Sequence, residues 1–275
     1  MTALRVLDLF AGLEGWASGF RERGHHVDTL DLDPSFGSTF TADVLEVTAA
    51  DLAGPYDVVV ASPPCEGFSV GSLYRHWEQP GGRGTLARPK SDQSRLGTRI
   101  ALATIDLLAD LAPPLGFVIE NPTGMMRHVL GFDGGERAGL RWSRWLHPEV
   151  ESRKAPSVTY CTLGLHYRKP TDLWVSGPLV RALELPAPCR TDAAESVVLD
   201  DGREFRVNLR TGEPCHEAAR RGAKTGVQGL ADYATRSLVP TDLSRAVALA
   251  AEQATPGDDP LPIAPAAQLD LGLGR

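Results

Sequence analysis

The sequence predicts an α/β fold, a mostly parallel sheet flanked by helices with a smaller lobe late in the chain. Three observations lead there. Short apolar runs alternate with segments of helical period, the pattern of successive βαβ units. Two of those runs end in turns with special backbone chemistry: glycines follow Arg5 to Phe10, and Pro63-Pro64-Cys65 follows Asp57 to Ala61. From Gly177 to Gly229 the period is lost and turn residues dominate. A chain of 275 residues, 42% hydrophobic, can bury a core for one full α/β domain and a small lobe, so general disorder is excluded as the default.

In order, Arg5 to Phe10 reads as a strand, Phe10 to Gly15 as a glycine turn, and Trp16 to Arg23 as a helix. His26 to Leu32 is a second strand, with a short third one ending near Asp43. Asp57 to Ala61 follows as a clear strand. Around Arg99 to Leu111 the residues Ile100, Thr104, Leu108 and Leu111 share one helix face, and Phe117 to Ile119 is the next strand. Ser157 to Cys161 and Asp172 to Val175 are shorter strand candidates. Pro240 to Ala254 returns to helix, with Thr241 or Asp242 as cap and Leu243, Val247 and Ala250 on one face. The expected organisation is a main domain over 1–176, a small lobe over 177–230, a segment over 231–254 that packs back on the main domain, and a flexible tail over 255–275. In such folds ligands bind outside the carboxyl ends of the strands, where both special turns lie.

No stretch of 18 uncharged apolar residues is present, and the N-terminus lacks the flank and core of a signal peptide, so a soluble, cytoplasmic protein without a membrane partner is expected. The net charge is −7, but residues 72–99 carry Arg75, Arg83, Arg88, Lys90, Arg95 and Arg99 against Glu78 and Asp92. A second basic cluster comprises Arg203, Arg206, Arg210, Arg220, Arg221 and Lys224, diluted by Asp200, Asp201 and Glu204. Either could line a nucleic-acid groove or be a solvated loop.

The four cysteines, at 65, 161, 189 and 215, show no paired short spacing. Cys189, Cys215 and His216 therefore lack a fourth ligand on spacing grounds, and no metal is expected. Cys65 differs from a packing cysteine because two prolines fix the backbone before it and present it beyond a strand end. The first turn lacks G-x-G-x-x-G, which argues against a dinucleotide. Asp31, at the end of the second strand, is placed to accept hydrogen bonds from ribose hydroxyls, while Asp33 is the better cap for a helix after Pro34.

Taken together, Phe10-Ala11-Gly12-Leu13-Glu14-Gly15, Pro63-Pro64-Cys65-Glu66-Gly67-Phe68-Ser69, Glu120-Asn121-Pro122 and Arg236-Ser237-Leu238-Val239-Pro240 resemble, in that order, the DNA cytosine-5 methyltransferases, in a short phage-like form. The resemblance implies a Rossmann-like S-adenosylmethionine-dependent methyltransferase fold with a small target-recognition lobe. It implies that S-adenosylmethionine is held by Phe10, Ala11, Gly12, Gly15, Asp31, Leu32, Asp43, Pro63, Arg236 and Ser237. It further implies that Cys65 adds to C6 of a cytosine flipped out of double-stranded DNA, that Glu120 serves N3, that Asn121 fixes the loop, and that Arg168 and Lys169 stand for a blurred arginine motif. The expected species is a monomer in a bacterial or phage-infected cell.

Arg236 replaces the family's usual asparagine. An arginine there suits a carboxylate, so carboxy-S-adenosylmethionine and cytosine carboxymethylation form an alternative. Pairing of Arg236 with Glu14 or DNA phosphate, with the ordinary donor, is the competing reading. A tRNA cytosine-5 methyltransferase would share the same core residues, and a catalytically silent DNA-binding relative would be expected to lose Cys65 or Glu120.

Overall fold

The computed structural model describes residues 2–70, 73–78, 87–150, 152, 154–192, 194–218 and 237–257. The strands are β1 (Arg5–Leu9), β2 (His26–Asp31), β3 (Phe40–Thr41), β4 (Val58–Ala61), β5 (Trp77–Glu78), β6 (Arg88–Pro89), β7 (Gly116–Pro122), β8 (Gly134–Arg137), β9 (Leu140–Trp145), β10 (Val158–Thr159), β11 (Pro170–Val175), β12 (Ser196–Val198), β13 (Glu204–Val207) and β14 (Pro214–Glu217). The helices are α1 (Gly15–Glu22), α2 (Leu73–His76), α3 (Asp92–Leu111), α4 (Arg127–Leu130), α5 (Leu179–Ala182) and α6 (Thr241–Gln253).

The main sheet has the order β3-β2-β1-β4-β7-β11-β9-β8, with β10 beside β11. From β3 to β7 all pairs are parallel, and β11 begins an antiparallel extension. After β1 the chain builds outward through β2 and β3, then returns to place β4 and β7 on the other flank. That reversal opens a crevice at the carboxyl ends of β1 and β4. The predicted α/β fold is borne out; the hairpin of β8 and β9 went unread in the sequence.

The parallel strands are apolar on both faces because both are covered. Leu7, Leu9, Val59, Ala61, Phe117 and Ile119 point to the side of α3, whereas Val6, Val58, Val60 and Val118 meet α1 and α6. Helix α3 starts seven residues before the predicted Arg99, because Ser91 caps it by accepting from the Ser94 amide at 3.1 Å. Helix α6 closes against α1: a Cβ on Gly15 would meet the Val239 carbonyl oxygen at 2.7 Å, and one on Gly19 would meet Ser244 Oγ at 2.5 Å. Only glycine permits that approach. Neither Thr241 nor Asp242 caps α6, whose N-cap residue is Pro240 with no side-chain bond. The predicted tail from Thr255 lies outside the described residues beyond Gly257.

Gly177 to Leu185 does not belong to the turn-rich region in space, since Leu179, Leu183 and Leu185 sit in the core beside α6. Strands β12, β13 and β14 then form a separate small sheet.

Asp8, on β1, is fully buried and takes one hydrogen bond from the Ala17 amide at 3.1 Å, while its Oδ1 has no partner among the described residues. Burial pushes its carboxyl up to about 8, against the opposing Ala17 bond. The native state thus keeps a proton that the unfolded chain releases above about pH 4. This contribution to stability is complete below the unfolded pKa and is lost as pH rises toward about 8. Wild type should lose on the order of a few kcal/mol between pH 4 and 8 that Asp8→Asn retains. Thermal melts of both proteins across that range check it.

Candidate active site

The turn after β4 is held from within. The Cys65 carbonyl accepts from the amides of Phe68 at 2.9 Å and Ser69 at 3.1 Å, and the fully buried Phe68 ring packs 5.9 Å from Trp77. From the neighbouring strand β7, Asn121 Nδ2 donates to the Pro63 carbonyl at 2.9 Å. Asn121 therefore ties the two loop ends together, as expected of it.

Glu120 lies one residue earlier on β7 and is 2% exposed. Strand alternation sends it to the opposite side from Ile119, toward the short helical turn Tyr160–Leu163. Tyr160 Oη donates to Glu120 Oε1 at 2.7 Å, and Lys169 Nζ lies 3.5 Å from the same oxygen and 4.5 Å from the Tyr160 ring centre. Burial, and then the charge of Glu120, holds the Tyr160 hydroxyl well above its usual range, so it stays a donor. The Cys65 thiol is pushed up to about 11, chiefly by burial; Lys169 pulls it down, while Glu120 and Glu66 push it further up. Thiol, carboxyl and ammonium groups thus act on one another at the ends of β4, β7 and β11.

The structure brings Lys169 to this group and not Arg168. Consecutive residues of extended chain point opposite ways, and Arg168 Nε instead donates to Cys189 Sγ at 3.3 Å. Two arginines that the sequence reading passed over are buried nearby. Arg127 makes a two-pronged contact with Asp172 at 2.5 and 2.6 Å, and Arg144 reaches the same carboxylate at 3.3 Å. They anchor β11, on which Leu173 pairs with Glu120.

Beside the thiol turn lies a cavity of about 260 Å³ at the carboxyl ends of β1 and β2. Phe10, Ala11, Gly12, Gly15, Asp31, Leu32, Asp43 and Ser237 all line it. Pro63 does not; Ser62 and Pro64 do, and Ser62 Oγ accepts from Trp16 Nε1 at 2.9 Å, joining the two special turns. Arg236 and the glycine-rich stretch Gly81 to Gly84 lie outside the described residues. Glu14, one suggested partner for Arg236, is in contact with Arg21. Asp31 accepts from the amides of Gly12 and Asp33, both at 2.9 Å, and Asp33 caps the turn at Pro34–Phe36 as expected. Each Asp31 oxygen keeps a lone pair for a ligand. Leu32 is 66% exposed at the cavity edge, where it presents an apolar face.

Among the described members of the two basic stretches, Arg75, Arg88, Lys90, Arg95 and Arg99 are exposed, with the exposed Tyr74 among them. In the second stretch, Arg203 pairs with Asp201 and Glu217, and Arg210 with Glu149. No described helix is long and apolar enough to cross a membrane.

A crevice at a strand-order reversal, flanked by a turn-mounted thiol and a strand-borne carboxyl, defines an α/β protein with a ligand-sized cleft at the carboxyl ends of its strands. No family model matches the chain. It is 31% identical over 178 residues to a frog virus 3 protein described as "Probable DNA (cytosine-5)-methyltransferase", covering 62% of this chain and 70% of that one. It is also 33% identical over 131 residues to the type II methyltransferase M.AplI of Arthrospira platensis, covering 45% of this chain but only 32% of that one. The chain belongs to the DNA (cytosine-5)-methyltransferase family. Among solved structures it is similar to the Entamoeba histolytica methyltransferase EhMeth, at 12% identity and TM-score 0.41 over 74% of this chain and 66% of that one. The S. pombe Dnmt2 methyltransferase gives 14% identity and TM-score 0.38 over 73% and 64%.

Proposed function

We propose that this protein methylates C5 of cytosine in double-stranded DNA, taking the methyl group from S-adenosylmethionine and passing through a covalent bond between Cys65 and C6. The observation that carries this reading is the meeting of Cys65, Glu120 and Lys169 beside the crevice.

The crevice fits the donor. Leu32 offers a face for an adenine ring, Asp31 has acceptor capacity for ribose hydroxyls, Asp43 lines the cavity and would accept from the adenine amine, and Gly12, at φ +48, has open space where a side chain would begin. Bound there, S-adenosylmethionine supplies an electrophilic methyl group. Asp31→Asn keeps one acceptor oxygen and loses the charge and the other, so donor affinity should fall about tenfold or more. Isothermal titration with S-adenosylmethionine measures it.

Cytosine C5 is a poor nucleophile until a thiolate adds at C6. Cys65 forms that bond, and Glu120, held by Tyr160 and Lys169, carries a proton or hydrogen bond at N3 to take up the charge. Once C5 has taken the methyl group and the donor sulfur has left as a neutral thioether, water or hydroxide removes the C5 proton, Glu120 takes back any proton lent to N3, and the C5–H electron pair expels Cys65 as a thiolate. The base must first rotate out of the duplex, at a cost of a few kcal/mol. The exposed basic residues from Arg75 to Arg99 are suited to gripping the backbone there. The small sheet β12 to β14, in the region 177–230, serves as the recognition lobe.

The test is nucleoside mass spectrometry on duplex DNA and on tRNA incubated with purified protein and S-adenosylmethionine or its carboxy analogue. 5-Methylcytosine in DNA supports the reading. Carboxymethylcytosine would transfer the proposal to the Arg236 alternative, and modification of tRNA alone would overturn the DNA substrate.

A further inference from the structure

Expectation from spacing gave Cys189, Cys215 and His216 no fourth ligand and no metal. The structure corrects that geometry, because Cys161 joins them from the turn Tyr160–Leu163, 28 residues upstream of Cys189. The three Sγ atoms and a His216 ring nitrogen all lie within 4.8 Å of one another. We propose that Cys161, Cys189, Cys215 and His216 form a structural zinc site that fastens the small sheet to the main domain. The site lies apart from the proposed methyl-transfer chemistry and does not depend on that reading.

Three features of the chain support it. The first is how two consecutive residues can reach one point. In a regular strand Cys215 and His216 would face opposite sides. Here Arg206 pairs with His216 but Val207 pairs with Pro214, so Cys215 is the extra residue of a β-bulge, which re-aims its side chain.

Second, the spacing suits a tetrahedral ion. With Zn–S near 2.3 Å, ligand atoms lie roughly 3.5 to 3.8 Å apart, so the four atoms close on zinc with shifts of about an ångström or less. Cys161 and Cys189 sulfurs stand 3.2 Å apart, outside a disulfide bond of about 2.05 Å. Arg168 Nε donates to the Cys189 sulfur and the Cys189 amide donates to Thr159 Oγ1 at 2.8 Å. A zinc ion with three thiolates and a neutral imidazole carries net charge −1, which the Arg168 guanidinium offsets. His216, 9% exposed, has its Nδ1 buried with no hydrogen-bond partner among the described residues.

Third, among the described residues the small sheet lacks a core of its own. Strand β12 is exposed throughout, and Phe205 is the buried apolar side chain that β13 supplies. Units this small usually need a disulfide, a metal or a partner surface to hold their shape. Cys161 sits next to Tyr160 and so roots the sheet in the element that holds Glu120.

Binding releases one proton from each of the three thiols, with no oxidation or reduction. The experiment uses the full chain, purified without a histidine tag under reducing conditions. Elemental mass spectrometry should find about one zinc per chain. Cys189→Ser should lose it, whereas Cys65→Ala, altered outside the cluster, should keep it. If Cys189→Ser fails to fold, wild type stripped of zinc and refilled with cobalt decides: tetrahedral d–d bands with thiolate-to-cobalt charge transfer are expected. Zinc retained in folded Cys189→Ser, an octahedral cobalt spectrum, or a Cys161–Cys189 disulfide peptide in the metal-free native protein would each overturn the site.

Discussion

Cys65→Ala is expected to abolish cytosine methylation, with kcat falling on the order of 10⁴-fold or more, since a nucleophile has no substitute in an addition mechanism. Binding should survive, because the turn is held by the Cys65 carbonyl, the Asn121 amide and the Phe68 ring, none of which the substitution removes. With the thiol pushed up to about 11, chiefly by burial, Cys65 is held mostly as the thiol near neutral pH. Lys169 is the charge that pulls the thiol back down. Single-turnover methylation and DNA-binding titrations on the same preparations separate lost chemistry from lost affinity.

Glu120→Gln should give two effects of opposite sign. Turnover should fall about 10²- to 10⁴-fold, because the amide cannot deliver a proton toward N3. Yet Glu120 is one of the charges that raise the Cys65 thiol, so removing it should make Cys65 easier to ionise. Alkylation of Cys65 at pH 8 is then faster than in wild type while methylation is nearly lost. A variant that had merely misfolded would show faster alkylation at every cysteine, including buried Cys189. Peptide mass spectrometry after timed iodoacetamide treatment reads the rates separately.

The parallel half of the sheet was legible because each strand is an apolar run ended by a distinctive turn, and Val58 to Ala61 could be little else. The hairpin β8-β9 was not. Gly134-Gly135-Glu136-Arg137 is poor strand material, and tertiary pairing of Gly134 with Ser143 and Gly135 with Trp142 overrides its propensity. Around the site, Cys65, Glu120 and Asn121 stood out by motif, and the cavity gathered the predicted glycines and acids. Pro63 was one residue off, because a rigid Pro-Pro pair reads alike in sequence though its members face different neighbours. Arg168 and Lys169 could not be separated without knowing where β11 begins. The cysteine cluster was invisible for a deeper reason. Its ligands come from three elements, two of them brought together only when the small sheet docks, and adjacent Cys215 and His216 share a point only through a bulge.

The central claim is a covalent bond between Cys65 and the target base, and trapping it tests that claim most directly. In duplex DNA carrying 5-fluorocytosine, the C5 substituent cannot leave as a cation once the methyl group has been added, so the covalent complex cannot resolve. Intact mass of the protein after incubation with this DNA and S-adenosylmethionine should increase by one oligonucleotide plus one methyl group. Digestion should place the adduct on Cys65, and Cys65→Ala should form none. An adduct on another residue, or methylation of ordinary cytosine DNA with no trapped species on the fluorinated strand, would contradict the account.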